Sequence, residues 1–197
     1  MNLNLNDVAV LLLSLTALIL LISHDWRLSV SSLGVLYLGV FTLVLISWPM
    51  EMAVVKLVAG WISASVLGIG LVNLGNRQYR PNRYLPSEII FRFSAAGLVS
   101  LVAISLTPSL LEWLPGASYE QALGGLILIG MGLLILGFTQ RPLQTALGLL
   151  TFFAGFEILY VTIESSVLVA GFLALINMGV ALVFAYLLLA PTLEVEE

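Results

Sequence analysis

The 197-residue sequence contains no cysteine, one histidine (His24) and one lysine (Lys56). Without cysteine there are no disulfides, thiolate nucleophiles or iron–sulfur ligands, and one histidine cannot build a bis-histidine haem site or a histidine-rich metal site. Gly-rich phosphate loops, HExxH motifs, nucleophile elbows and nucleic-acid-binding modules are also missing. We therefore predict no catalytic residue, no metal, no cofactor and no nucleic-acid partner for this chain.

Charge is scarce as well, because only 9% of the residues are charged whereas 60% are hydrophobic, and the mean hydropathy is +1.12. A soluble domain of this length cannot bury so much apolar surface, so the composition indicates an integral membrane protein. We predict an all-α polytopic membrane protein with about seven transmembrane helices. The apolar runs of spanning length lie at residues 7–23, 28–48, 50–75, 88–111, 120–139, 142–164 and 166–190.

The few charged residues sort by side of the membrane. The arginines follow the first, third and fifth spans, whereas glutamates flank the opposite connections (Arg27, Arg77, Arg80, Arg83, Arg92, Arg141; Glu51, Glu112, Glu120, Glu164). The positive-inside rule then predicts an N-terminus outside and a C-terminus inside. We expect a prokaryotic cytoplasmic (inner) membrane, with the thylakoid membrane as the alternative.

Two local patterns predict specific contacts. Glu88 and Arg92 stand four residues apart with the acid first, which favours an ion pair on the fourth span. Gly125 and Gly132, and separately Gly130 and Gly137, lie two turns apart in the fifth span, where small residues let a neighbouring helix approach closely. Both patterns are typical of ordinary packing and indicate structural roles.

Glu157 is an isolated carboxylate inside the sixth apolar run. An acidic residue at membrane depth costs roughly 2.5–3.5 kcal/mol on insertion scales, and such residues usually face the bundle interior on an ion or proton path. Tyr160 and Glu164 follow at steps of three and seven residues, which return to one helix face. We predict that this stripe leads toward the outer surface, with the Tyr160 hydroxyl bonded to Glu157. The alternative is a protonated Glu157 that holds helices together.

Two more polar residues stand inside predicted spans. Asn177 lies near the centre of the seventh span, where it could order water or bond to the sixth span, and structural glue is the favoured interpretation. Lys56 lies about two turns inside the third span, which leaves both interfacial snorkelling and an intramembrane role open. The predicted proton relay is therefore Glu157, Tyr160, Glu164, Asn177 and Lys56.

The last three spans carry a family pattern. A Gly-rich span is followed by the turn Gln140-Arg141-Pro142, by a span with Gly155-Phe156-Glu157-Ile158-Leu159, and by a span centred on Asn177. This pattern resembles the K-type subunit of respiratory complex I and the C subunit of Mrp-type cation/proton antiporters. With Asp25-Trp26-Arg27-Leu28-Ser29 at the second span, nearly the whole chain resembles membrane component E of hydrogenase-4 and formate hydrogenlyase complexes. The seventh span has no acidic counterpart to the second intramembrane glutamate of the K-type subunit.

The resemblance implies an organisation and a function. It divides the chain into a four-helix segment, residues 1–115, and a K-type-like three-helix segment, residues 116–197. It implies a non-catalytic membrane subunit of a complex I-like, hydrogenase-like or Mrp-like assembly that contributes to proton or sodium translocation, with Glu157 as the protonatable relay. The implied partners are antiporter-like and other membrane subunits in the lipid bilayer. The alternatives are a self-contained small transporter and a purely structural membrane scaffold.

Overall fold

The structure is a computed structural model that describes residues 5–23, 25–78, 86–139 and 141–193, with the backbone alone at 73–78, 86 and 191–193. These residues form seven α-helices and no β-strand. Each described helix is long and apolar enough to cross a membrane. The predicted all-α, multi-pass fold is therefore confirmed. The helices are α1 (Leu5–Ile22), α2 (Trp26–Val44), α3 (Met50–Gln78), α4 (Pro86–Trp113), α5 (Tyr119–Phe138), α6 (Pro142–Tyr160) and α7 (Val167–Leu193).

The predicted second and sixth spans both run four residues past the helix ends, since α2 ends at Val44 and not at residue 48. The prediction extended the sixth span to residue 164, but α6 ends at Tyr160 and a turn over residues 161–163 follows. The Thr162 hydroxyl bonds back to the Leu159 carbonyl at 2.7 Å, which helps to close the helix end. Hydropathy cannot locate this end, because the turn is nearly as apolar as the helix before it.

The closest helix contact is the one between α5 and α6. A Cβ atom on Gly132 would lie 2.6 Å from the Phe152 nitrogen and 2.8 Å from the Gly148 carbonyl oxygen, so the two backbones touch there. Gly125 also faces α6, since its added Cβ would meet the Leu159 side chain at 2.7 Å. The predicted role of Gly125 and Gly132 in close helix packing is thus confirmed. The same prediction is wrong for Gly137, because a Cβ atom there would meet nothing within 4 Å.

One hydrophobic core runs through all the described helices. Helix α7 packs extensively against α3, and α5 packs against α1 and α4. The predicted segments 1–115 and 116–197 therefore share this core, and their boundary stays a prediction. Helices α4 and α7 are the least covered by the other described helices, and their apolar faces are left for lipid or partner helices.

Arg92 joins three helices at the end of the bundle where α1 and α5 terminate. Its guanidinium donates to the carbonyl oxygens of Leu21 at 3.0 Å and Phe138 at 3.4 Å, and it forms the predicted ion pair with Glu88 at 3.1 Å. A cation is favoured beside the carbonyls that end a helix. Arg80, Arg83, His24 and the last three glutamates of the sequence (Glu194, Glu196, Glu197) lie outside the described residues. The predicted orientation in the membrane stays a prediction.

Candidate functional site

A lysine and a glutamate form an ion pair inside the bundle. Lys56 lies on α3 and Glu157 on α6, and each side chain is only 1% exposed. The Lys56 Nζ atom pairs with the Glu157 Oε1 atom. Lys56 is therefore buried and paired inside the bundle, and its depth relative to the membrane interface stays a prediction. Glu51, the nearest acid along α3, is exposed and lies on another side of the helix.

Asn177 on α7 adds a third member to this site. It is fully buried, and its Nδ2 atom donates a hydrogen bond to Glu157 Oε1 at 3.1 Å. The predicted bond from the seventh span to the sixth is therefore present. A single carboxylate oxygen receives both the ammonium and the amide, so Glu157 connects α3 and α7 through α6.

The structure does not place Tyr160 and Glu164 beside the Glu157 carboxylate, as their predicted position on one helix face required. Tyr160 is the last residue of α6, and its ring stacks on Phe156 with centroids 5.7 Å apart. Glu164 is exposed beyond the helix end, so the helical step from Glu157 to Glu164 does not apply. Among the described residues, the hydrogen-bond and ion-pair partners of Glu157 are Lys56 and Asn177. The relay roles of Tyr160 and Glu164 stay predictions.

Tyr37 on α2 is a fourth polar residue at this place, and the sequence analysis missed it. Its side chain is 1% exposed, and its ring lies on the α3 backbone at Gly60, one helical turn after Lys56. The sequence did contain a sign that Tyr37 is unusual. Tyrosines in membrane proteins usually lie near the interfaces, whereas Tyr37 stands near the middle of its predicted span. Tyr37, Lys56, Glu157 and Asn177 are called the buried polar cluster below.

The cluster lies inside the bundle and not at its rim. Lys56 is six residues into α3 and Asn177 ten residues into α7, which places them about 9 and 15 Å from those helix starts at 1.5 Å per residue. Glu157 is three residues from the end of α6. The starts of α3 and α7 and the end of α6 lie at the same end of the bundle. The cluster therefore occupies the half of the bundle nearer the start of α3.

Hydrogen bonds between connecting segments hold that half together. The Trp48 indole, between α2 and α3, donates to the Glu164 carbonyl, between α6 and α7, at 2.9 Å. The buried Gln121 amide at the start of α5 donates to the Leu43 carbonyl at 2.9 Å and to the Ser47 hydroxyl at 2.9 Å. These bonds fix the ends of the helices that carry the cluster.

The chemistry of the site follows from its charges. A lone buried ion costs several kcal/mol, whereas the Lys56–Glu157 pair carries no net charge. The second carboxylate oxygen, Glu157 Oε2, has no hydrogen-bond partner among the described residues. That atom is therefore the place where the site can take up or release a proton. The described residues contain no group of three or more metal-ligating side chains.

Comparisons of the chain with protein-family models, with curated proteins and with solved structures found no match. The fold and the site therefore define the class by themselves. It is a multi-pass helical membrane protein with an ion pair buried between its spanning helices. The family resemblance rests on the residues and motifs quoted above.

Proposed function

We propose that this chain is a non-catalytic membrane subunit of a complex I-like, hydrogenase-like or Mrp-like ion-translocating assembly. The observation that carries the proposal is the Lys56–Glu157 ion pair, buried between three helices with Asn177. Replacing a buried ion pair by apolar residues is often neutral or stabilising, so packing alone does not require one. Ionisable residues at membrane depth typically belong to ion or proton paths.

The pair suits a relay because each partner controls the charge of the other. While Lys56 contacts Glu157, the ammonium favours the ionised carboxylate. When a neighbouring charge draws Lys56 away, the buried carboxylate is left uncompensated and takes a proton at Oε2. Return of the ammonium releases that proton. Asn177 holds Oε1 through both steps, which keeps the carboxylate in place.

A relay in this chain needs partners to form a complete route. Toward the far end of the bundle, two buried hydroxyls bond to their own helices, Ser63 to the Ala59 carbonyl and Thr151 to the Leu147 carbonyl. Such hydroxyls do not form a continuous charged path. The apolar faces of α4 and α7 offer surfaces where antiporter-like subunits or lipid could pack. This favours a multisubunit assembly over a self-contained transporter.

The proposed setting follows the charge pattern. The arginine connections face the cytoplasm, so the N-terminus is outside and the C-terminus inside a prokaryotic cytoplasmic membrane or a thylakoid membrane. The cluster then lies in the outer half of the bilayer. Tyr160 and Glu164 stand between it and the outer surface, which keeps them as candidates for later steps of the relay.

The test starts from the native membrane. The tagged chain is purified with its partners, which are identified by mass spectrometry, and the assembly is reconstituted into vesicles that report proton uptake. We expect antiporter-like subunits to co-purify, and Glu157→Gln to abolish most of the uptake when uptake is expressed per assembled complex, the amount of which co-purification measures for each variant. The matched control is Glu112→Gln, since Glu112 is an exposed glutamate on α4 outside the site.

The alternatives make different predictions for the same experiments. Unchanged uptake in Glu157→Gln contradicts the relay, and full activity in Glu157→Leu supports a structural scaffold. A chain that purifies alone and transports ions by itself supports the self-contained transporter. Uptake that depends on added sodium in the wild type identifies sodium as the moving ion.

A further inference from the structure

The hydrogen-bonding groups of the buried polar cluster are not all used by the protein. Glu157 Oε1 receives both Lys56 and Asn177, whereas Glu157 Oε2, Asn177 Oδ1 and the Tyr37 hydroxyl have no hydrogen-bond partner among the described residues. All four side chains are at most 1% exposed, so lipid headgroups and bulk water do not reach them. Buried polar groups in proteins are almost always hydrogen-bonded, so these atoms call for a partner.

We propose that the cluster binds an internal water molecule that joins the Tyr37 hydroxyl, Glu157 Oε2 and Asn177 Oδ1 beside Lys56. Buried waters typically make two to four hydrogen bonds to otherwise unsatisfied groups. The unused groups can bond to both the hydrogens and the oxygen of a water molecule. Glu157 Oε2 and Asn177 Oδ1 accept hydrogen bonds, the Lys56 ammonium has further N–H donors, and the Tyr37 hydroxyl can donate or accept. The proposal deepens the proposed function, since it rests on the same site.

A metal cation fits the same place less well than water does. The free oxygens would suit a cation, but the Lys56 ammonium already neutralises the carboxylate. A second positive charge in this buried space would be repelled by the ammonium, and the repulsion is strong where the dielectric constant is low. Water brings no net charge and meets the donors and acceptors together.

The packing around Tyr37 keeps its hydroxyl at the cluster. A methyl group at Gly60 would overlap the carbons of the Tyr37 ring, so the ring lies directly on the backbone of α3. Gly60 is one helical turn after Lys56, which sets the ring beside the lysine. With the ring held there and only 1% of the side chain exposed, Tyr37 is the partner for the water on α2.

The single lysine allows a direct test. Chain labelled with ¹⁵N-lysine in lipid nanodiscs carries one side-chain nitrogen signal, that of Lys56, and solid-state NMR can measure magnetisation transfer from water to it. We expect this transfer in the wild type, its loss in the double variant Tyr37→Phe/Asn177→Leu, and no change in Tyr186→Phe. Tyr186 is exposed on α7 and makes a matched control.

The outcomes of this NMR experiment test the water site independently of ion transport. A wild-type Nζ signal without transfer from water overturns it, as does unchanged transfer in a folded double variant. A shift of the Nζ signal when potassium is exchanged for sodium overturns it in favour of a bound cation. If the double variant does not fold, the single variants serve instead, and each is expected to weaken the transfer. A confirmed water with no effect of Glu157→Gln on uptake leaves the water site standing and removes the relay.

A glycine substitution gives a second, independent test. Gly60→Ala should push the Tyr37 ring off α3 and weaken the transfer from water without removing any hydrogen-bonding group. The matched control is Gly34→Ala on α2, because a Cβ atom there meets nothing within 4 Å. Equal transfer in the two variants overturns the assignment of Tyr37 to the water site.

Discussion

Removing one partner of the Lys56–Glu157 pair should destabilise the protein more than removing both. In Lys56→Met the carboxylate stays buried without its ammonium, and in Glu157→Leu both the ammonium and the Asn177 amide lose their acceptor. Breaking a buried pair in this way typically costs about 3–5 kcal/mol. The double variant Lys56→Met/Glu157→Leu leaves no buried ion and only the Asn177 amide without its acceptor.

The expected magnitude follows from these contacts. The apolar double replacement is itself close to neutral, and the unsatisfied amide adds about 1–3 kcal/mol. If each single variant costs at least about 3 kcal/mol, the coupling energy between the two positions is at least about 3 kcal/mol, at the top of the usual range for residues in contact. That coupling corresponds to roughly a hundredfold in the folding equilibrium.

The measurement is reversible unfolding in mixed micelles as the fraction of denaturing detergent rises, followed by the fluorescence of the four tryptophans. Glu112→Gln is the control, and as an exposed substitution it should change the free energy of unfolding by no more than about 0.5 kcal/mol. Costs of the two single variants that simply add in the double variant would refute a direct ion pair between α3 and α6.

Three further predictions use the same unfolding assay or a simple labelling reaction. Arg92→Met removes a charged donor from two helix-end carbonyls and should lower the free energy of unfolding by about 3 kcal/mol. Glu88 is half exposed, so Glu88→Gln should lower it by at most about 1 kcal/mol. Equal losses in the two variants would contradict the capping role of Arg92. Gly132→Ala should destabilise by about 1–3 kcal/mol because its methyl meets the α6 backbone, and Gly137→Ala, with open space, should be neutral or stabilising by up to about 1 kcal/mol. An amine-reactive acylating reagent should leave Lys56 unmodified in the native membrane and modify it after denaturation, which mass spectrometry of the peptide containing Lys56 checks. Rapid native modification of that peptide would contradict the burial of Lys56.

Local patterns in the sequence predicted the features that depend on neighbours along the chain. Each span must be apolar on its own to cross a bilayer, so hydropathy located all the described helices within a few residues. The Glu88–Arg92 pair and the close approach at Gly132 depend on helical spacing and residue size, and both are confirmed. The end of α6 was misplaced, because the turn after Tyr160 keeps the apolar composition of the helix.

The partners of Glu157 could not be found in the same way. Lys56 and Tyr37 lie on helices far from α6 along the chain, and no periodicity within one helix reports which helices face each other. The predicted alignment of Tyr160 and Glu164 with Glu157 required the helix to continue through residue 164, but α6 ends at Tyr160. Asn177 was paired with the sixth span because adjacent spans joined by a short turn must be neighbours.

The sequence by itself determined that this protein is a helical, multi-pass membrane protein without cysteine, and that one carboxylate stands inside an apolar run. These properties depend on composition and on the cost of burying charge, which act residue by residue. Only the tertiary structure decided that the carboxylate meets Lys56 and Asn177, and that the Tyr37 ring packs against α3 beside them. The reason is physical, because a buried charge can be satisfied by any helix that packs against it, and packing is a property of the whole bundle.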